Sequence, residues 1–275
     1  MKMNECDENV YQCCCLLGLR SGYPRMRSID RSHIVSACLI LLLTSNVVLA
    51  QSASGSHSQD GVRRQIVVDD FESYDDGDLP TIWNAQLNGK LVPLTERFVN
   101  DREWFYVRRE DGNGFVRAYS RGEAVHINKR NGDGFDWDLR EMPILSWDWR
   151  ANALPNGARE DRDKLNDSGG GVYVMFSMEG LIIKRPKAIK YVYSTSLEEG
   201  TVISYGKLRV IVVASGREGM GSWQHVQRNV VEDYRKVFGS EPRSKPLFIR
   251  LWSDSDNTKS VAEVDFDNIV LSAKR

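Results

Sequence analysis

Three short runs alternate large aromatics with forked or acidic side chains, and they are where chemistry can sit. Asp148 and Arg150 occur in ILSWDWR (144–150), Tyr173 in VYVMFS (172–177), and Arg250 and Trp252 in LFIRLW (247–252). Flat rings such as Trp252 and Tyr173 stack on the apolar C–H faces of a sugar. Arg150 and Arg250 offer paired donors to hydroxyls, and Asp148 an acceptor. These five residues form the candidate ligand-binding set. Carboxylates also cluster, as Asp136-Trp137-Asp138, Asp148, and Asp254-Ser255-Asp256. Paired acids are the machinery of a glycoside hydrolase or lyase, with Asp148, Asp254 and Asp256 as the candidates for that alternative. An Asp-x-Asp in a turn otherwise just ties down backbone N–H groups. The DSDN run (254–257) begins like a calcium loop but lacks the glycine and distal glutamate of an EF-hand, so a hairpin turn is expected. His126 and His225 each stand alone, and a structural role is expected for both. Ser168-Gly169-Gly170-Gly171 has no following lysine and leads into a strand, so it is not a phosphate loop; it is expected to let the chain enter Val172 freely. No catalytic residue is assigned.

The elements that must position these residues have a period of two. Short β-rich runs fall at 66–68, 104–107, 115–119, 124–127, 144–150, 172–176, 189–193, 208–213, 247–252 and 261–271, separated by turn chemistry such as DDG, DGNG, NGDG and PNG. Many short strands punctuated in this way predict an all-β, jelly-roll-like antiparallel sandwich. Alternation places Leu145, Trp147 and Trp149 on one side of their strand, with Ser146, Asp148 and Arg150 on the other. Likewise Ile249 and Leu251 oppose Arg250 and Trp252, and Val172, Val174 and Phe176 oppose Tyr173 and Met175. A single outer face carrying Asp148, Arg150, Tyr173, Arg250 and Trp252 is therefore expected. One short helix is predicted over Val230 to Phe238, capped by Asn229, boxed by Glu232 and stopped by Gly239.

The 275 residues carry 37 Lys and Arg against 38 Asp and Glu, a formal net charge of −1 with no basic cluster. Nucleic-acid binding has no electrostatic footprint in such a chain. All five cysteines (Cys6, Cys13, Cys14, Cys15 and Cys38) precede residue 50, and a thiol-free remainder suits an oxidising compartment. From Met26 the sequence has a basic start (Arg27, Arg31), an apolar run from Ile34 to Leu43, and small residues at Val48 and Ala50 before Gln51. These are the parts of a secretory signal cleaved near Ala50. The run falls short of the roughly twenty residues a membrane span needs, so no span is expected after cleavage. Residues 1–25 read as an upstream extension with Met26 as the true start, 26–50 as the signal, 51–61 as a polar leader, and 62–275 as a single sandwich domain. A periplasmic or secreted location follows.

The order of LSWDWRANALPNGA (145–158), VYVMFS (172–177), IKYVYS (189–194), SWQHVQRNVVEDYRKVFGSEP (222–242) and LWSDSDNT (251–258) resembles the bacterial family DUF3047. That resemblance implies export and a jelly-roll-like sandwich, and it implies no reaction. A looser similarity links Val68-Asp69-Asp70-Phe71-Glu72 and Val264-Asp265-Phe266-Asp267-Asn268 to galactose-binding-like, carbohydrate-binding jelly rolls. In those the first and last strands pair and a carboxylate from each helps hold a structural calcium, which nominates Glu72 and Asp267 as metal ligands. The expectation is an exported protein that binds a glycan or similar polar ligand without catalysis. The alternatives are a carbohydrate-active enzyme on the same sandwich and a structural envelope protein.

Overall fold

The protein is described by a computed structural model over residues 64–180 and 185–274. The expected extension, signal and leader (1–61) lie outside the described residues. In chain order the strands begin with β1 (Gln65–Asp69), β2 (Asn84–Leu87), β3 (Lys90–Pro93), β4 (Glu103–Glu110) and β5 (Asn113–Arg121). Then come β6 (Ala124–Arg130), β7 (Ile144–Ala153), β8 (Ser168–Glu179), β9 (Arg185–Ser194) and β10 (Val202–Tyr205). After β11 (Leu208–Ser215) and β12 (Gln224–Asn229) the helix α1 (Val230–Phe238) intervenes, followed by β13 (Phe248–Asp254) and β14 (Val261–Ser272).

They form two sheets, the jelly-roll-like sandwich expected. A six-stranded sheet runs β12-β7-β14-β5-β4 with β1 also paired to β14, and an eight-stranded sheet runs β10-β11-β9-β8-β13-β6-β2-β3. Among the described residues every pairing is antiparallel except β9 with β11, which is parallel. The central strand of the six-stranded sheet is β14, which pairs with β1, β5 and β7.

Alternation explains which side chains the sheets enclose. Trp147 and Trp149 are fully buried and meet edge to face, with centroids 5.5 Å apart, while Tyr191 and Tyr193 of β9 pack on them from the other sheet. Each such ring contributes roughly 2–3 kcal/mol by leaving water. Trp83 is also fully buried, and its indole N–H donates to Asp69 at 2.7 Å. The same carboxylate accepts from the Phe71 amide at 2.9 Å, so the end of β1 is tied to the core.

The helix matches its expectation. The Asn229 side chain accepts from the Glu232 amide at 3.1 Å, and Gly239 adopts φ 66°. Only half of the capping box closes, however, because the Glu232 carboxylate is taken by Lys274 at 2.8 Å.

Four strands, β2, β3, β10 and β12, were not among the β-rich runs. The glycine run behaves differently from expectation as well. It is the start of β8, and it is there for close packing. A Cβ on Gly169 would lie 2.2 Å from Leu154 Cδ2, and one on Gly170 2.9 Å from Val264 Cγ2. No helix among the described residues is long and apolar enough to cross a membrane.

Candidate functional site

The five candidate ligand residues do not share one face. Asp148 and Arg150 lie on β7 in the six-stranded sheet, whereas Tyr173, Arg250 and Trp252 lie on β8 and β13 in the eight-stranded sheet. Alternation fixes which side of its own strand a residue takes and says nothing of which sheet that strand joins.

On the six-stranded sheet, Arg150 lies in register with Asp265 of β14 and is bound by it and by Glu110, with ion-pair distances of 2.7 and 2.8 Å. Its guanidinium also covers the Trp223 ring at 4.8 Å and the Phe115 ring at 5.1 Å. Asp148 accepts from Asn268 at 2.8 Å and contacts His225 Nδ1 at 2.7 Å. Both residues are thus engaged by neighbours on their own sheet. Farther along, Trp104 stacks on Tyr119 at 5.2 Å beside Tyr106, an aromatic ledge that sequence reading missed. The signal was there: Trp104, Tyr106 and Arg108 alternate on one side of β4, with Phe105 and Val107 on the other.

On the eight-stranded sheet the three candidates do come together. Trp252 stands between His126 of β6, stacked at 4.6 Å with an interplanar angle of 6°, and Tyr173 of β8 at 5.4 Å. The register sets this row, since Trp252 pairs with His126 and Arg250 pairs with both Asn128 and Tyr173. Gly171 pairs with Trp252, and the space above it is filled by Lys190 and Tyr173. Arg250 donates to Asn128 Oδ1 at 2.7 Å and to Gln86 Oε1 at 2.6 Å, and its guanidinium lies 5.4 Å from the Trp252 ring. Lys190 lies 5.4 Å from the Tyr173 ring and 5.6 Å from that of Trp252. Tyr173, Arg250, Asn128 and Lys190 are buried, while His126, Gln86 and Trp252 are partly exposed. Burial and then the Arg250 charge push the His126 imidazole well below its usual pKa, so it is a neutral ring at ordinary pH. His126, Lys190, Asn128 and Gln86 were all missed as members of this group. Lys190 was legible, because it opposes Ile189 and Tyr191 in IKYVYS; Gln86 was not, because its strand was unrecognised.

The acids also separate. With Asp148 on the other sheet, the trio Asp148, Asp254 and Asp256 is not one constellation. Asp138 acts as expected of a turn acid: it accepts from the Arg140 amide at 2.9 Å and pairs with that guanidinium. Asp254 and Asp256 instead join Asp167 near the end of β13.

Glu72 and Asp267 both converge on the start of β5, at Asn113 and Gly114. The two oxygens of Glu72 accept from the Gly114 amide at 2.8 Å and from Arg109 at 3.0 Å. Those of Asp267 accept from Asn113 Nδ2 at 3.0 Å and from the Asn268 amide at 2.6 Å. A calcium between them would meet four oxygens that already face N–H donors, one of them a guanidinium. The residues present do not fit that metal.

The sequence profile described as "Protein of unknown function (DUF3047)" matches residues 95–270. The chain belongs to the DUF3047 family. The matched segment runs from just after β3 into β14, so it contains every candidate ligand residue and leaves Glu72 outside. No curated protein matches this DUF3047 chain in sequence. Among solved structures it is similar to the family 11 carbohydrate-binding module of the cellulosomal cellulase Lic26A-Cel5E of Clostridium thermocellum. That likeness has 9% identity and a TM-score of 0.40, over 77% of this chain and 95% of that one. The family 30 carbohydrate-binding module of Cel9D-Cel44B from the same organism gives 13% identity and a TM-score of 0.37, over 77% and 98%. The family 11 xylanase from Neocallimastix patriciarum gives 9% and 0.33, over 64% and 94%.

Proposed function

We propose that the sandwich domain binds a carbohydrate, or a similarly hydroxyl-rich ligand, on the outer face of its eight-stranded sheet without converting it, and that the chain is exported to the periplasm or beyond the cell. The observation that carries the binding reading is the row His126–Trp252–Tyr173, with Trp252 partly exposed and Arg250 alongside. Aromatic groups supply apolar contact to sugar C–H patches, and amides and guanidinium groups match hydroxyls. Each of these side chains springs from a paired strand, so little ordering is required on binding. Export rests on the basic, apolar and small-residue pattern at 26–50 and on a body free of cysteine.

A glycan array with the purified protein, followed by calorimetry on the best ligand, tests the binding reading. Trp252→Ala is expected to weaken affinity at least about tenfold with the fold retained, whereas Trp104→Ala on the other sheet leaves it unchanged. Equal affinity in Trp252→Ala overturns the choice of face, and a blank array overturns the sugar class. Intact mass of the protein from a periplasmic fraction tests export. A chain beginning at Gln51 supports it; an uncleaved chain confined to the cytoplasm refutes it.

A further inference from the structure

Beside the aromatic row, three carboxylates meet where β8 begins and β13 ends. One oxygen each from Asp167, Asp254 and Asp256 can be chosen so that all lie within 4.8 Å of one another. Two oxygens bound to one Ca²⁺ at about 2.4 Å can be no more than about 4.8 Å apart. The spacing therefore fits a single shared ion. Like charges so close do not hold themselves together, and what else is present does not balance them. Lys190 reaches Asp254 Oδ2 at 3.6 Å, and Lys259 acts on Asp256.

Acidic clusters are common, and this one is set apart by the polar atoms that it leaves without a partner. Ser168 is fully buried and pairs directly opposite Asp254 in the β8–β13 ladder, so the two side chains project to the same side. Among the described residues the Ser168 hydroxyl has no hydrogen-bond partner, and neither has Asp254 Oδ1. The Trp252 indole N–H lies near enough to favour the charged form of Asp254, yet closes no hydrogen bond to it. Buried hydroxyl and carboxylate oxygens are nearly always satisfied, and leaving one bare costs about 1–3 kcal/mol or more. Two bare oxygens beside two further carboxylates form a half-made coordination shell.

We propose that Asp167, Asp254 and Asp256, with the Ser168 hydroxyl, hold a hard divalent cation of the calcium type. All the donors are oxygens, with no histidine or cysteine among them, which selects Ca²⁺ or Mg²⁺ over zinc or copper. Asp167 is held on both oxygens, Oδ1 by the Asn257 amide and side chain at 3.0 and 3.3 Å and Oδ2 by the Thr258 amide and hydroxyl at 2.7 and 2.5 Å. It is therefore the fixed edge of the cluster, and the Asp254 and Ser168 oxygens are the open ones. Asp256 is partly exposed and gives the ion its route from solvent. The site is separate from Glu72 and Asp267, and it does not depend on the glycan reading.

Terbium is the probe, because it replaces calcium and is excited through a nearby indole; Trp252 is two residues from Asp254. With the full chain, titrated Tb³⁺ is expected to emit on tryptophan excitation and to be displaced by Ca²⁺, and millimolar Ca²⁺ is expected to raise Tm by several degrees. Asp256→Asn should abolish both responses while raising Tm in chelator, since it removes a repelling charge from the apo cluster. Ser168→Ala, which deletes only an unpartnered hydroxyl, should weaken Ca²⁺ roughly tenfold without lowering the chelator Tm; Glu72→Gln should leave the Ca²⁺ response intact. The proposal fails if wild type and Asp256→Asn respond alike to both ions. It fails equally if acid alone stabilises the protein and Ca²⁺ does nothing, which would mean that a shared proton holds the carboxylates.

Discussion

The Asp265 carboxylate, which has no exposed surface, receives both prongs of Arg117: Nε donates to Oδ1 at 2.6 Å and Nη2 to Oδ2 at 3.0 Å. The pair joins β5 to β14 across their register. From the opposite flank Arg150 Nε and Asn152 Nδ2 reach Oδ2 at 2.8 and 2.9 Å. One buried anion therefore organises two guanidinium groups on the outer side of the six-stranded sheet.

Asp265→Ala should accordingly lower stability by roughly 3 kcal/mol, because two half-buried cations lose the anion that offsets their desolvation. Urea denaturation measures it. A loss below about 0.5 kcal/mol would show that the cluster behaves as an ordinary surface ion pair.

A second expectation concerns the glycines that open β8. Gly170→Ala would set a methyl 2.9 Å from Val264 Cγ2 and 3.0 Å from Cγ1, in a core that cannot yield easily. It should cost roughly 1–3 kcal/mol. Gly171→Ala meets the flexible Lys190 Cε at 3.0 Å, so its cost should be smaller. Thermal melts of the two variants side by side decide it, and the reverse order would sink the argument.

Those glycines also mark how far the sequence could be read. Period-two alternation and turn residues gave away the β-rich class, and Asn229 and Gly239 gave away the ends of the helix. Strands β2 and β3 were missed although Asn88 and Gly89, at φ 50° and 74°, make the hairpin turn that Asn-Gly favours. QHVQRN (β12) shows no apolar alternation; it pairs with β7 and buries Val226 alone. At the candidate site, Trp252, Tyr173 and Arg250 were legible because each faces away from aliphatic neighbours on its strand. Their separation from Asp148 and Arg150 was not, because sheet membership is decided by long-range pairing. The Asp167–Asp254 meeting was hidden for the same reason: the two residues are far apart in sequence and are brought together by the β8–β13 ladder and by the bonds of Asp167 to Asn257 and Thr258.

A third expectation is a stability that falls as pH rises from weakly acidic to neutral. Burial holds Asp254 at about 7 and Asp267 at about 6, both above their unfolded value of 3.8. Below about pH 4 both states are protonated and the two acids are neutral in effect. Between pH 4 and 7 the unfolded chain gives up protons that the folded one retains, so stability drops, and the full penalty stands above pH 7. Asp254 faces Lys190, Asp167 and Asp256, and Asp267 faces Asn113, Asn268, Asp148 and Glu72, so the acids around them reinforce this sense. Melts in chelator at low salt should give a higher Tm at pH 5 than at pH 8, and Asp267→Asn should flatten the part of the curve between pH 4 and 6. A Tm that climbs over this range would contradict the assignment.

The position of β14 reaches beyond the finished structure. It lies between β5 and β7, yet all three of its partner strands, including β1, leave the ribosome before it does. A nascent chain that stops short of Val261 carries two unzipped edges where the middle of a sheet belongs, and no local hairpin can mend them. Cooperative folding of the six-stranded sheet must wait until synthesis has passed that strand.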